Sequence, residues 1–335
     1  MDASSSTFSA ADGRPVLTQA VVAVPVRNEA RRLPRLLTAL SAAARRSPLP
    51  VTVVVLANNC TDHSAGIVRS FGASPSMRVE LHEVDFADAH AGLARRAAMD
   101  LAARAGALIL TTDGDAAPGP GWIAAALRAA DAGADLICGR ISADCRHVLS
   151  TPQARRVAAA EAAYGALQHD IRHAIDRLAG RQGPARPHYI ESGASMAISA
   201  QCYRRIGGLP PVRSSEDRAL VHLAESQGLV IRYAEDMRAA VSARLHGRAE
   251  GGMAETLLRR MRDPDPLADQ AMLPVDVLAD LWSQAAEGRV PPYPSRAVSL
   301  GRRLRTSDLE AKLPGLVRLV EDRVRPHLSW RQVAA

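Results

Sequence analysis

Asp113 and Asp115 flank a single glycine directly after the aliphatic run Leu108–Thr112. Two carboxylates one residue apart at the end of a buried strand repel each other unless a cation sits between or beside them. A hard divalent ion is the natural cation, because it takes carboxylate oxygen and leaves positions for diphosphate oxygens. The alternative is a solvated turn, for which Asp-Gly is a common pair. A second acidic pair, Glu216-Asp217, follows Ser214 and Ser215 and precedes Leu220, Leu223 and Ala224 at helical spacing. Acids suit the positive end of a helix dipole, and either serine would serve as an N-cap. His169 and His173 lie four residues apart on a helical stretch. They lack the glutamate of a His-Glu-x-x-His zinc motif and an evident third ligand, so they are expected to face an acceptor or solvent.

The elements that must position these residues follow from hydrophobic period. The aliphatic run Val21–Val26 is followed by Leu33, Leu36, Leu37 and Leu40 at helical spacing. Strands are predicted at 51–56, 78–84 and 108–112, and helices at 67–71, 92–105 and 121–132. Such alternation predicts an α/β fold with a mainly parallel sheet and helices on its faces, binding ligands at the carboxyl ends of the strands. The loops there carry Pro25, Arg27, Asn28 and Glu29, then Asn58, Asn59, Thr61 and Asp62, then Asp113, Gly114 and Asp115. No Gly-x-Gly-x-x-Gly or Walker lysine follows any strand, which removes the main support for dinucleotide and P-loop sites. Further on, 155–179 has the spacing of an amphipathic helix, 189–199 reads as strand-like, and helices are predicted at 253–261, 275–286 and 309–324.

The 335 residues, 47% hydrophobic and 23% charged, provide for one large domain or two modest ones. The net charge of +7 is scattered arginine, with Lys312 the sole lysine, and aromatic content is 3%. Without a basic block or stacking rings, nucleic-acid binding is not expected. Cys60, Cys138, Cys145 and Cys202 form no Cys-x-x-Cys pair, which fits reduced thiols in a cytoplasmic protein. Residues 1–19 lack the basic and apolar regions of a signal peptide and read as a disordered tail. No apolar run approaches the ~20 residues of a membrane span, so any membrane contact would be peripheral.

Taken together, these stretches resemble a glycosyltransferase of family 2 with the GT-A fold. Val21–Glu29 resembles that family's first strand and Pro-x-x-Asn-Glu loop, Asp113-Gly114-Asp115 its Asp-x-Asp motif, and Glu216-Asp217 its Glu-Asp motif. Gly193, within Glu191–Met196, is similar to its glycine loop and His246 to its C-terminal metal histidine. The resemblance covers roughly residues 20–250 and implies a GT-A domain there, with a nucleotide-binding half at 20–140 and an acceptor half at 141–250. Residues 251–335 are left as a helical C-terminal extension that would cap the core, complete the acceptor site or form a dimer contact, with Trp282 and Trp330 as buried anchors.

The resemblance further implies transfer of a sugar from a nucleoside-diphosphate sugar to a small or lipid-linked hydroxyl acceptor, with inversion. Pro25, Val26, Asn28, Glu29, Asn58, Arg96, Asp113, Gly114 and Gly193 would hold the donor. Asp113, Asp115 and His246 would hold manganese or magnesium. An inverting transfer needs a base for the acceptor hydroxyl; Asp217 is expected in that role, with Glu216 orienting the acceptor or supporting the loop. Ala57-Asn58-Asn59-Cys60-Thr61-Asp62 departs from the family's acidic loop, which leaves the nucleobase open. Ala97 and Met99 replace residues usual after the arginine matched by Arg96. A retaining transferase on the same fold and a nucleotidyltransferase are the alternative readings; a non-catalytic scaffold would not need the acids at 113, 115 and 217.

Overall fold

The protein is described by a computed structural model covering residues 16–71, 75–183, 185–247, 252–290, 293 and 302–330. Most of the expected N-terminal tail therefore lies outside the described residues, and Gln19 already belongs to the first strand.

In chain order the elements begin β1 Gln19–Val26, α1 Leu33–Ala44, β2 Val51–Asn58, α2 Ser64–Ser70 and β3 Arg78–Val84. They continue with α3 Ala91–Ala102, β4 Ala107–Thr111, the short β5 Ala117–Pro118, α4 Trp122–Asp131 and β6 Leu136–Ala143. Next come α5 Pro152–Leu178, β7 Met196–Ser199, α6 Ala200–Arg205, α7 Glu216–Ser226 and β8 Ile231–Val241. The last are α8 Met253–Arg262, α9 Val275–Ala286, α10 Thr306–Leu319, a π turn at Val320–Val324 and α11 Arg325–Trp330.

The chain divides into two compact units. One runs up to Ala143 and resumes at Ile190–Ser242; the other joins Asp144–Tyr189 to the chain from Ala243 onwards. The first unit holds a sheet in the order β3-β2-β1-β4-β7-β6-β8-β5. β1, β2, β3 and β4 run parallel, while β7 is antiparallel to both β4 and β6. The strand period of two sorts β1 onto both faces. Val22, Val24 and Val26 pack with Leu33, Leu36, Leu37 and Leu40 of α1 and Trp122 of α4. Val21 and Ala23 pack with Ala98 and Met99 of α3, Tyr203 of α6 and Leu220 of α7.

Local chemistry starts the helices. His90 accepts from the Leu93 amide at 3.1 Å ahead of α3, and Ser199 accepts from the Cys202 amide at 3.1 Å ahead of α6. The predicted N-cap of α7 takes another form: Ser215 sits there in the left-handed region, φ 59°, and makes no capping hydrogen bond to the helix. Within the stretch read as strand-like, only Met196–Ser199 joins the sheet. The polar backbone atoms of Gly193 bond instead to side chains from α3 and α7, so no ladder forms there. β6 and β8 are strands without a sequence expectation, and between Gly139 and Arg140 their register jumps from Ala234 to Arg238.

The second unit joins α5 to the C-terminal helices. The helix at 155–179, placed by sequence with the acceptor half of the GT-A core, instead shares its apolar stripe with the C-terminal helices. Tyr164, Ile171 and Ala174 of α5 cluster with Leu278 and Trp282 of α9 and Leu309 and Leu316 of α10. An amphipathic 27-residue helix must bury its stripe against some partner, and the tail supplies it. Trp282 is buried as expected, whereas the side chain of Trp330 lies outside the described residues. His173 is buried and His169 stacks on Tyr189 at 5.3 Å, so this pair does not lie on an open face of α5. Among the described residues no helix is long and apolar enough to cross a membrane.

Where β6 and β8 diverge, Gly139 leaves no room for a side chain: a Cβ there would lie 2.1 Å from Ser195 Oγ and 2.3 Å from the Met237 carbonyl oxygen. That hydroxyl accepts from Trp122 Nε1 at 2.8 Å and donates to Met237 O at 3.1 Å, all buried. Gly139→Ala is expected to cost about 1–3 kcal/mol through overpacking and the broken bridge, read as a lowered thermal midpoint.

Candidate active site

The loops after β1 and β2 are laced together by short polar side chains. Asn28, in the left-handed region at φ 54°, accepts from the amides of Thr61 at 2.7 Å and Asp62 at 3.2 Å through Oδ1. The same residue donates to Thr61 Oγ1 at 3.1 Å through Nδ2. Asp62 in turn accepts from the amides of Ala30 at 3.0 Å and Ser64 at 2.9 Å, and Ser64 Oγ accepts from the Glu29 amide at 2.9 Å. Asn58 is buried and donates to the Val26 carbonyl at 3.0 Å, while Asn59 exchanges two hydrogen bonds with the backbone of Phe86. The amides expected to meet a base edge are thus engaged in shaping their own loops. Cys60 joins the same lacing, accepting from the Asn28 amide and donating to Val26 O, both at 3.4 Å, and burial pushes its thiol up.

Gly114 brings the loop after β4 against this pair. A Cβ on Gly114 would lie 3.2 Å from Glu29 Cγ, 3.3 Å from Val26 Cγ2 and 3.4 Å from Pro25 O. Residues 25, 26, 28, 29, 58, 113 and 114, expected to hold the donor, are therefore brought to one end of the sheet, with Asp115 next in line.

The centre of the site is a residue without a sequence expectation. Arg95 of α3 is 7% exposed and donates four hydrogen bonds. Nε reaches Glu216 Oε1 at 2.9 Å, Nη1 reaches Thr111 Oγ1 and the Gly193 carbonyl at 2.9 Å each, and Nη2 reaches Asp113 Oδ1 at 2.6 Å. Burial opposes its charge, but the carboxylates of Asp113 and Glu216 outweigh that and hold its pKa above the ordinary arginine range. Arg96, expected at the donor, donates to the carbonyls of Leu209 and Gly207, bracing the turn before α7. Helix phase explains the difference: Gly92, Arg95, Ala98, Met99 and Ala102 share the buried face of α3, and Arg96 falls off it.

Gly193 connects this guanidinium to the second acid of the Glu216-Asp217 pair. Its carbonyl accepts from Arg95, and its amide donates to Asp217 Oδ2 at 3.0 Å. Asp217 Oδ1 also accepts from the Arg218 amide at 2.8 Å. Burial first and the neighbouring Glu216 second raise the Asp217 pKa, against the opposing pull of Arg218 and Arg95. A raised carboxylate beside a polar cluster has the proton affinity that a general base requires. Glu216 is buried against Arg95.

Asp113 and Asp115 supply hard oxygen ligands of the type a divalent ion takes, and the bond from Arg95 engages one oxygen of Asp113. His246, the expected third ligand, is exposed on the chain after β8 and belongs to the second unit. Among the described residues no three His, Cys, Asp or Glu side chains converge as a metal site.

Gly193 tolerates no side chain, since a Cβ would lie 2.4 Å from Arg95 Cζ. Gly193→Ala is expected to displace the guanidinium from at least one carboxylate. Leaving a buried charge short of partners costs on the order of 1–3 kcal/mol, seen as a lower midpoint in denaturant with an unchanged slope.

A family model described as glycosyl transferase family 2 matches residues 21–202. No curated protein matches significantly. Among solved structures, Staphylococcus aureus TarS 1–349 in complex with UDP-GlcNAc is similar at 13% identity, over 94% of this chain and 92% of that one, with a TM-score of 0.48. Glucosyl-3-phosphoglycerate synthase from Mycobacterium tuberculosis, in complex with Mn2+, UDP-glucose and phosphoglyceric acid, is similar at 18% identity over 74% and 79% of the two chains, with a TM-score of 0.42. The mannosyltransferase PcManGT from Pyrobaculum calidifontis, in complex with GDP-Man and Mn2+, is similar at 16% identity over 94% and 83%, with a TM-score of 0.46. With its family model spanning more than half of its length across the strands and loops just described, the chain belongs to glycosyl transferase family 2 and is a glycosyltransferase.

Proposed function

We propose that the protein transfers a sugar from a nucleoside-diphosphate donor to a hydroxyl acceptor, with inversion and with a divalent ion at Asp113 and Asp115. One observation carries this reading: the carboxylate after β4 and the Glu216-Asp217 pair are held around a single buried guanidinium, with Gly193 joining it to Asp217. The loops after β1 and β2 and Gly114 form the floor for the nucleotide. Asp217 takes the proton of the acceptor hydroxyl as its oxygen bonds to the anomeric carbon. The bond from that carbon to the diphosphate oxygen breaks, and its electron pair leaves with the nucleoside diphosphate. Approach opposite to the departing diphosphate inverts the centre. A bound divalent ion would neutralise the charge gathering on the diphosphate. The four cysteines are free thiols, which supports action in the cytoplasm.

Binding and turnover separate the two acids. Asp115→Ala is expected to weaken manganese-dependent nucleoside-diphosphate binding in calorimetry, because the ion and the diphosphate complete each other's coordination. Asp217→Asn should bind nucleotide with near-parent affinity and lose about 10² to 10⁴ in kcat. Metal-dependent affinity untouched by Asp115→Ala, or transfer by Asp217→Asn within tenfold of the parent at saturating donor, would overturn the assignment.

A further inference from the structure

We infer that Arg95 is a positioning residue, which orients Asp217 through the two backbone polar atoms of Gly193 and ties that orientation to Asp113 across the same guanidinium. The inference rests on the reading of Asp217 as the base and goes beyond it by naming what holds the base in place. The geometry is directional. Arg95 Nη1 fixes the Gly193 carbonyl at 2.9 Å, and the amide of that glycine meets Asp217 Oδ2 at 3.0 Å. With Cζ lying 2.4 Å from where a Cβ would stand, the guanidinium also presses against the glycine itself. Nη2 and Nε meanwhile hold Asp113 and Glu216 at 2.6 Å and 2.9 Å. Only a planar fork with five donors can make these four bonds at once; a lysine ammonium has three donors on one point.

The arrangement also sets charge. Arg95 from α3 and Arg218 from α7 favour the ionised form of Asp217, and Glu216 disfavours it. Asp113, after β4, accepts from Nη2 of the same guanidinium at 2.6 Å. Glu191, on the loop that carries Gly193, accepts from the Tyr233 hydroxyl at 2.8 Å. A residue that merely filled space could be exchanged without moving the ionisation of the base. Arg95 cannot, and its two carboxylate partners make the sign of the effect testable from both sides.

The experiment is the pH profile of kcat/KM in three variants of the full chain, each first checked for a cooperative thermal transition. Arg95→Met should move the acid limb to higher pH by about one unit, as expected when a carboxylate loses a close cation. Glu216→Gln, which removes a like charge, should move it to lower pH. Arg95→Lys should keep the limb near the parent position and lower kcat by about tenfold or more, since charge remains and the fork is lost. If Arg95→Met does not fold, the opposite shift in Glu216→Gln and the split in Arg95→Lys still decide. Acid limbs that coincide across the folded variants would overturn the inference while Asp217→Asn remains inactive. An Asp217→Asn that retains turnover would instead overturn the assignment of the base.

Discussion

A guanidinium taken out of water costs several kcal/mol even after the protein relaxes around it, and that cost is offset only by close carboxylates with good geometry. The neighbourhood of Arg95 is arranged by this requirement. Thr111, at the last position of β4, offers its hydroxyl; Gly193 offers a carbonyl and the absence of a Cβ; Asp113 and Glu216 offer charge. The four partners come from three stretches of chain, so this buried cation fixes the end of β4, the loop before β7 and the start of α7 relative to α3. The same cation answers the repulsion expected between the acids after β4, because a protein nitrogen sits against Asp113.

The rest of the site is held by short polar side chains turned onto the backbone. Asn28, Asp62 and Ser64 satisfy amides that no strand ladder reaches, and Asn58 does the same for a buried carbonyl. Buried backbone groups must be paired, and at the ends of parallel strands the neighbouring strand no longer supplies the partner. Asn, Asp and Ser are suited to the task because their short side chains reach the local backbone and asparagine tolerates positive φ. The polar composition of these loops therefore has two sources, ligand chemistry and loop closure, and for Asn58 and Asn59 loop closure accounts for the contacts seen.

The legible parts of the fold were those with strong period. β1 to β4 and α1, α3 and α4 are aliphatic runs and stripes that only an alternating sheet can bury, and their boundaries fall within a few residues of the expected ones. β6 and β8 were not legible, because β8 carries Glu235 and Asp236 at its bulge and breaks the alternation. The home of α5 was not legible either: an apolar stripe states that a partner exists without saying which, and the tail helices are distant in sequence. At the site, the acids at 113, 115, 216 and 217 and Gly193 stand out as motifs, while Arg95 stands beside Arg96 with no motif of its own. The signal was present in the phase of α3, where Arg95 shares the face of Gly92, Ala98 and Met99. A charged residue on an apolar helical face is a reason to look for its buried partner.

The central claim is that one guanidinium serves two acids that come from distant segments and do not bond to each other. A double-mutant cycle on Asp113→Asn and Glu216→Gln, followed by equilibrium unfolding in urea, measures that sharing directly. Each single change leaves Arg95 one carboxylate, and the pair of changes leaves it none. The double variant is expected to be destabilised beyond the sum of the singles, with a coupling on the order of 1–3 kcal/mol. Additivity within about 0.5 kcal/mol would contradict it, for then the two acids would be held independently.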